Sequence, residues 1–269
     1  MKFRSLMVAT AFIAVVVSPS AAWANDSALM WGGSPRPLNG HQSVSMKSEM
    51  IRIEVGEQDT RVDCRFVFEN HGPTCRVRMG FPDQGRGAGD PDEDGRRKPV
   101  KGTFTAFDSW VGGTKVKTSI ERAAHQGNFW HVKTVDFPGY KTLEIRDRYT
   151  VGISSSVGYR TPFSTHSTNY ILHTGSSWHG NIGESIVEIT FHQGVQAPIA
   201  LHKIRTGGAD TDPNYATDKS DDRHAVYYSG PSKPTASGKT LRFVRANWKP
   251  GPSDDIEVVF DMHQIKVEK

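Results

Sequence analysis

Six consecutive residues, Asp90-Pro91-Asp92-Glu93-Asp94-Gly95, carry the sharpest chemical pattern in the chain. Carboxylates at alternate positions let several oxygens converge on one hard cation, and glycine at the sixth position permits the sharp turn of a calcium loop. The second half departs from that pattern. Lys101 stands at position twelve, where a bidentate glutamate belongs, and Arg96-Arg97-Lys98 set positive charge beside the carboxylates. The balance favours a solvated loop whose acids and bases neutralise one another, with a weak calcium site at Asp90, Asp92 and Asp94 as the rival. Asp210-Thr211-Asp212-Pro213-Asn214 repeats the acidic theme, but these residue types also build ordinary turns. Calcium is the one cofactor left open, and no other is indicated.

Other chemistries find less support. Eleven histidines invite a transition metal, yet no HExxH helix, His-x-His pair or Cys/His zinc spacing occurs. Gly175-Ser176-Ser177-Trp178-His179-Gly180 lacks the GxSxG spacing of a nucleophile elbow. Ser237-Gly238-Lys239-Thr240 ends like a phosphate-binding loop, but Lys233 stands where the earlier glycine belongs. Aromatic rings remain as candidates, because glycans stack on exposed rings. Trp130 alternates with Val132 and is expected in the core. Trp178 lies in a Gly-rich loop. If the loops at 154–168 and 175–183 gather at one end, Tyr159, Tyr170, Trp178 and His179 form an aromatic and polar ligand surface. The competing role for Trp178, plugging the end of a sandwich, is the better supported.

Strands must position these residues, since period-two alternation dominates and helical periodicity is nearly absent. Alternation predicts strands over 43–55, with a bulge near Met50-Ile51, then over 60–68, 74–81, 101–111, 114–121, 129–137 and 140–153. Asn70-His71-Gly72-Pro73, Gly112-Gly113 and Pro138-Gly139 read as hairpin turns between consecutive strands. A short helical turn near Thr118 to Ala124 is the only helix candidate after residue 24. Further strands are expected over 169–173, 184–192, 199–205, 224–228, 239–248 and 255–262. The fold expected is all-β: an immunoglobulin-like antiparallel sandwich over 43–153, a linker or loop over 154–168 and a second β-unit over 169–269. That second unit is either its own sandwich or a set of strands completing the first. Residues 25–42 form an N-terminal extension.

The N-terminus supplies an address. Lys2 and Arg4 precede an uncharged apolar run over 6–17, then Ser18-Pro19-Ser20 and the small-x-small triplet Ala22-Trp23-Ala24. This is the pattern of a cleaved secretory signal peptide over 1–24, too short to remain as a membrane anchor. A periplasmic or secreted protein is expected, without a transmembrane anchor. The remaining 245 residues (269 minus 24) carry 31 basic and 29 acidic side chains, evenly spread. A nucleic-acid partner needs a concentrated basic face, so none is expected. Export makes a Cys64–Cys75 disulfide permissible, but a turn at Asn70-His71-Gly72-Pro73 sets Cys64 several residues from Cys75 along the ladder. The bridge and two free thiols both remain open.

Three short elements resemble a family of exported bacterial β-proteins of unknown function. They are Met79-Gly80-Phe81-Pro82, Tyr170-Ile171-Leu172-His173-Thr174-Gly175 continuing as Trp178-His179-Gly180-Asn181-Ile182-Gly183, and Trp248-Lys249-Pro250 followed by Asp254-Asp255-Ile256. The resemblance implies a periplasmic or secreted β-sandwich and brings no catalytic residues with it. The function expected is therefore non-enzymatic: a binding or envelope-structural role toward an unknown protein or glycan of the cell envelope. The alternatives are an extracytoplasmic hydrolase acting on glycans or peptides, for which no converging pair of carboxylates is evident, and a calcium-stabilised adhesion or matrix module.

Overall fold

Alternating apolar residues build two stacked sheets. The computed structural model describes residues 30–39, 42–85, 102–122, 128–157, 164–204 and 225–261. The signal segment, Asp90, Asp92, Asp94 and Tyr159 lie outside the described residues. The first sheet has ten strands. Its main path runs β14 (Ala200–Lys203), β15 (Ala225–Ser229), β18 (Ile256–Asp261), β12 (Ser164–Ile171), β1 (Met30–Gly33), β5 (Cys75–Gly85), β9 (Asn128–Phe137) and β8 (Ser119–Arg122). Two more strands join it from the side, β11 (Ser154–Val157) on β12 and β2 (Arg36–Pro37) on β5. The second sheet has eight strands. They run β16 (Thr235–Ser237), β17 (Thr240–Trp248), β13 (Ile182–Phe191), β3 (Val44–Val55), β4 (Asp59–Asn70), β10 (Thr142–Gly152), β6 (Phe104–Val111) and β7 (Thr114–Val116). No α-helix occurs among the described residues, and the all-β expectation holds.

The two stretches of chain form the two halves of each sheet. Strands β3, β4, β10, β6 and β7 come from the first stretch and β13, β17 and β16 from the second. A parallel β3–β13 pair joins them, and a parallel β1–β12 pair makes the corresponding seam in the first sheet. The sheets are thus mixed rather than purely antiparallel. One hydrophobic core crosses the seam and includes Phe66, Phe68, Met79 and Phe137 from one side with Phe191, Phe243 and Phe260 from the other. The later strands thus lie in the same two sheets as the earlier ones and share their core.

Several local expectations change for physical reasons. Gly112 and Gly113, at φ 55° and 82°, make the tight β6–β7 hairpin as expected. The other two expected hairpins are corners between sheets: β4 lies in the second sheet and β5 in the first, and β9 and β10 are divided likewise. The buried Asn70 side chain ties both corners together. Its Oδ1 accepts from Ser43 Oγ at 2.8 Å and Gly72 N at 3.0 Å, while Nδ2 donates to Pro73 O at 2.8 Å and Pro138 O at 3.2 Å. Because Cys64 and Cys75 stand on different sheets, the ladder geometry expected of them does not arise, and both are free thiols. The segment expected as one strand over 114–121 divides after Val116, and its second part pairs with β9 as β8, not as a helical turn.

The bulge in β3 falls at Lys47, between Met46 and Ser48, and not at Met50-Ile51. Gly183 faces it, where a Cβ would collide with the Lys47 carbonyl. This offset changes which side chains face inward. Val44 and Met46 point into the core before the bulge; Glu49, Ile51, Ile53 and Val55 do so after it.

Candidate functional site

The aromatic surface expected from Tyr170, Trp178 and His179 is not assembled. Tyr170 is fully buried, with its hydroxyl 3.6 Å from Cys64 Sγ. Trp178 packs in the core with its ring centroid 4.6 Å from that of Phe68, and its Nε1 donates to Pro35 O at 2.7 Å. It plugs the sandwich. His179 alone of the three is exposed, its ring 6.3 Å from that of His71. Among the described residues no group of three or more His, Cys, Asp or Glu could hold a metal ion.

The outer face of the second sheet brings together charged and aromatic side chains that the sequence reading did not single out. Cross-strand register aligns them in rows. One row reads Arg242, Glu188, Arg52, Asp63, Arg148, Asp108 across β17, β13, β3, β4, β10 and β6, so that charge alternates at every step. Opposite charges directly across a ladder stabilise the pairing and keep a wide sheet face wet. Glu188 takes both Arg52 at 3.6 Å and Arg242 at 3.3 Å, and Asp108 takes Lys115 at 2.6 Å.

The neighbouring row is different. It reads Val244, Ile186, Met50, Arg65, Arg146, Trp110 over the same six strands. Arg65 and Arg146 are directly opposite each other, a like-charge pair that a sheet does not favour. Arg146 donates through Nε to Asp63 at 2.8 Å and through Nη2 to the other oxygen, and Arg148 Nε reaches the same carboxylate at 3.1 Å. Burial works to raise the Asp63 pKa, but the hydrogen bonds and charges of these two arginines outweigh it and hold the group below its ordinary value. Arg65 is exposed and makes no ion pair among the described residues. The half-buried Trp110 ring lies amid cations: Lys115 and Arg146 stand 5.7 Å from its centroid and Arg148 stands 5.6 Å away.

Beside this cluster opens a cavity of about 370 Å³ lined by Arg52, Glu54, Arg61, Asp63, Asp108 and Arg148, among others. Guanidinium forks recognise carboxylate, phosphate or sulfate groups through paired hydrogen bonds, and an indole face accepts a flat or apolar surface. The arrangement is therefore suited to holding an anionic group. The only signal available beforehand lay in the outward positions of two strands, Arg61-x-Asp63-x-Arg65 and Arg146-x-Arg148.

No protein-family model matches the sequence, and no curated protein sequence matches it. Among solved structures, a proposed nutrient binding protein from Legionella pneumophila is similar, with a TM-score of 0.63 and 17% identity, covering 88% of this chain and 73% of that one. An M1 zinc metallopeptidase from Deinococcus radiodurans gives a TM-score of 0.36 at 10% identity, over 82% of this chain and 43% of that one. The leukotriene A4 hydrolase of Saccharomyces cerevisiae gives 0.41 at 9%, over 84% and 30%. The first likeness concerns the fold alone, and the other two superpose too loosely to carry an argument.

Proposed function

We propose that the protein is a ligand-binding protein of the cell envelope, exported by its N-terminal segment, that holds an anionic ligand on the outer face of its second sheet. The observation that carries this reading is Arg65 standing opposite Arg146 beside Trp110, next to a row in which charge alternates at every step. Arg65 has spare donors, and an anion across the pair relieves the repulsion between the two guanidinium groups. Binding is favoured over hydrolysis because the three acids of the row beside the arginine cluster are ion-paired: Asp63 by two arginines, Asp108 by Lys115 and Glu188 by two arginines. The name of the Legionella neighbour agrees with a binding role.

The test is to follow the Trp110 indole N–H resonance while adding inorganic phosphate, trigalacturonate or the neutral sugar maltotriose. Saturable shifts are expected with the two anions and none with maltotriose. Arg65→Gln should weaken anion binding at least about ten-fold, the size of one lost charge-assisted hydrogen bond. Equal affinity in the variant, or equal response to maltotriose, would overturn the reading.

A further inference from the structure

We infer that the anionic ligand is an amphiphile, a single acyl chain with a carboxylate head; this rests on the outer face of the second sheet being the binding face. The row that holds Arg65, Arg146 and Trp110 continues in the other direction as Met50, Ile186 and Val244, each directly opposite the next. One stripe thus joins an apolar half to a cationic half. Val244 is 42% exposed, one of few large apolar side chains so open among the described residues, and Ile186 and Met50 are half-buried beside it.

The stripe has edges. On one side runs the ion-paired row from Arg242 to Asp108. On the other runs Ala246, Glu184, Ser48, Val67, Glu144. Same-face rows of a sheet stand about 7 Å apart, so the apolar strip is one side chain wide. A protein partner needs about 800 Å² on each side for a stable contact, which so narrow a strip, bounded by the ion-paired row on one side and by Glu184 on the other, does not offer. A sugar chain answers the arginines but leaves Val244, Ile186 and Met50 in water. A carboxylate between Arg65 and Arg146 with its chain lying over Met50, Ile186 and Val244 answers both halves. From Arg65 to Val244 is three strand spacings, about 14 Å, the reach of an extended chain of about ten carbons.

The experiment titrates the protein with hexanoate, decanoate and decyltrimethylammonium below their micelle concentrations, alongside phosphate and trigalacturonate. The readouts are the Trp110 indole and the methyl resonances of Ile186 and Val244. Decanoate should bind about ten-fold more tightly than hexanoate, as expected if four added methylenes are each partly buried. Decyltrimethylammonium, with the same chain and the opposite charge, should not bind. An Ile186→Thr/Val244→Thr variant keeps β-branching and strand preference while removing apolar surface; it should bind decanoate no better than hexanoate, with phosphate affinity unchanged. If phosphate and trigalacturonate bind through Arg65 while hexanoate and decanoate bind equally, the amphiphile is overturned and anion binding stands. If no anion shifts Trp110, both readings fall.

Discussion

Two carboxylates, Asp147 and Glu49, point into the same core from the same face of the second sheet, and they are held in opposite ways. Asp147 pairs across the ladder with Cys64, one row from Glu49, and both carboxylates are essentially fully buried. Lys133 crosses from the first sheet to Asp147, its Nζ donating to both carboxylate oxygens, at 2.7 Å to Oδ2, and to Ser109 Oγ at 2.8 Å. Glu49 meets no cation among the described residues. Ser34 Oγ donates to its Oε2 and Ser185 Oγ to its Oε1, both at 2.7 Å. Burial pushes the Glu49 carboxyl up to about 7, and the two serine hydrogen bonds only partly oppose that rise. A full opposite charge compensates a buried anion in a way that neutral hydroxyls do not, so equal burial leads to different vulnerabilities.

The comparison breaks most severely at Lys133. Replacing Lys133 with Met strands the Asp147 charge in the core, which should cost about 3–5 kcal/mol of unfolding free energy in urea denaturation. A Lys133→Met/Asp147→Leu variant removes both charges and should recover most of that loss. A double variant no more stable than the single one would show that Asp147 needs no cation.

Glu49 should show itself through pH. Its pKa in the folded protein lies above the ordinary 4.5, so stability is full below about pH 4.5 and declines as pH rises toward 7. Above about pH 7 the decline levels off, after a total of about 3 kcal/mol. Cys64 and Tyr170, two ionisable groups near it, are themselves pushed well above their ordinary values by burial and stay neutral throughout this window. Glu49→Gln should flatten the curve between pH 4.5 and 7 relative to the parent protein. Parallel curves for the two proteins would remove Glu49 from the account.

How far these sites were legible in the sequence depends on the range of the interaction that makes them. Strand positions were readable because alternation is local, and Gly112-Gly113 specified its hairpin because tight turns demand positive φ. The corners at Asn70 and Pro138 were misread because a sandwich corner uses the same turn residues as a hairpin. Glu49 was hidden by a bulge placed three residues late, since one extra residue reverses which side chains face inward. The outer-face rows were the least accessible. They depend on β13 pairing parallel with β3, which sets Ile186 beside Met50. Nothing local in either strand specifies that partner. Trp178 was the opposite case: a loop tryptophan plugs a core because its large apolar surface favours burial, whatever its chain neighbours suggest.

The smallest effect should come from the outer face, where the chemistry of the Lys133–Asp147 pair recurs in water. Asp63 is held by Arg146 and Arg148 much as Asp147 is held by Lys133, but its side chain remains 25% exposed. Solvent screens the attraction and also keeps the separated charges hydrated, so either partner can be lost cheaply. Asp63→Asn should therefore cost about 0.5–1 kcal/mol, several-fold less than Lys133→Met. The Asp63 carboxyl lies below its ordinary pKa, so its contribution is present above the usual carboxylate range and disappears as pH falls through the lowered value. That is the reverse of the Glu49 dependence. Raising ionic strength toward 1 M should erase the Asp63→Asn deficit and leave the Lys133→Met deficit nearly intact, because a buried pair is screened much less than an exposed one. Equal salt sensitivity in the two variants would mean that burial does not separate the two sites.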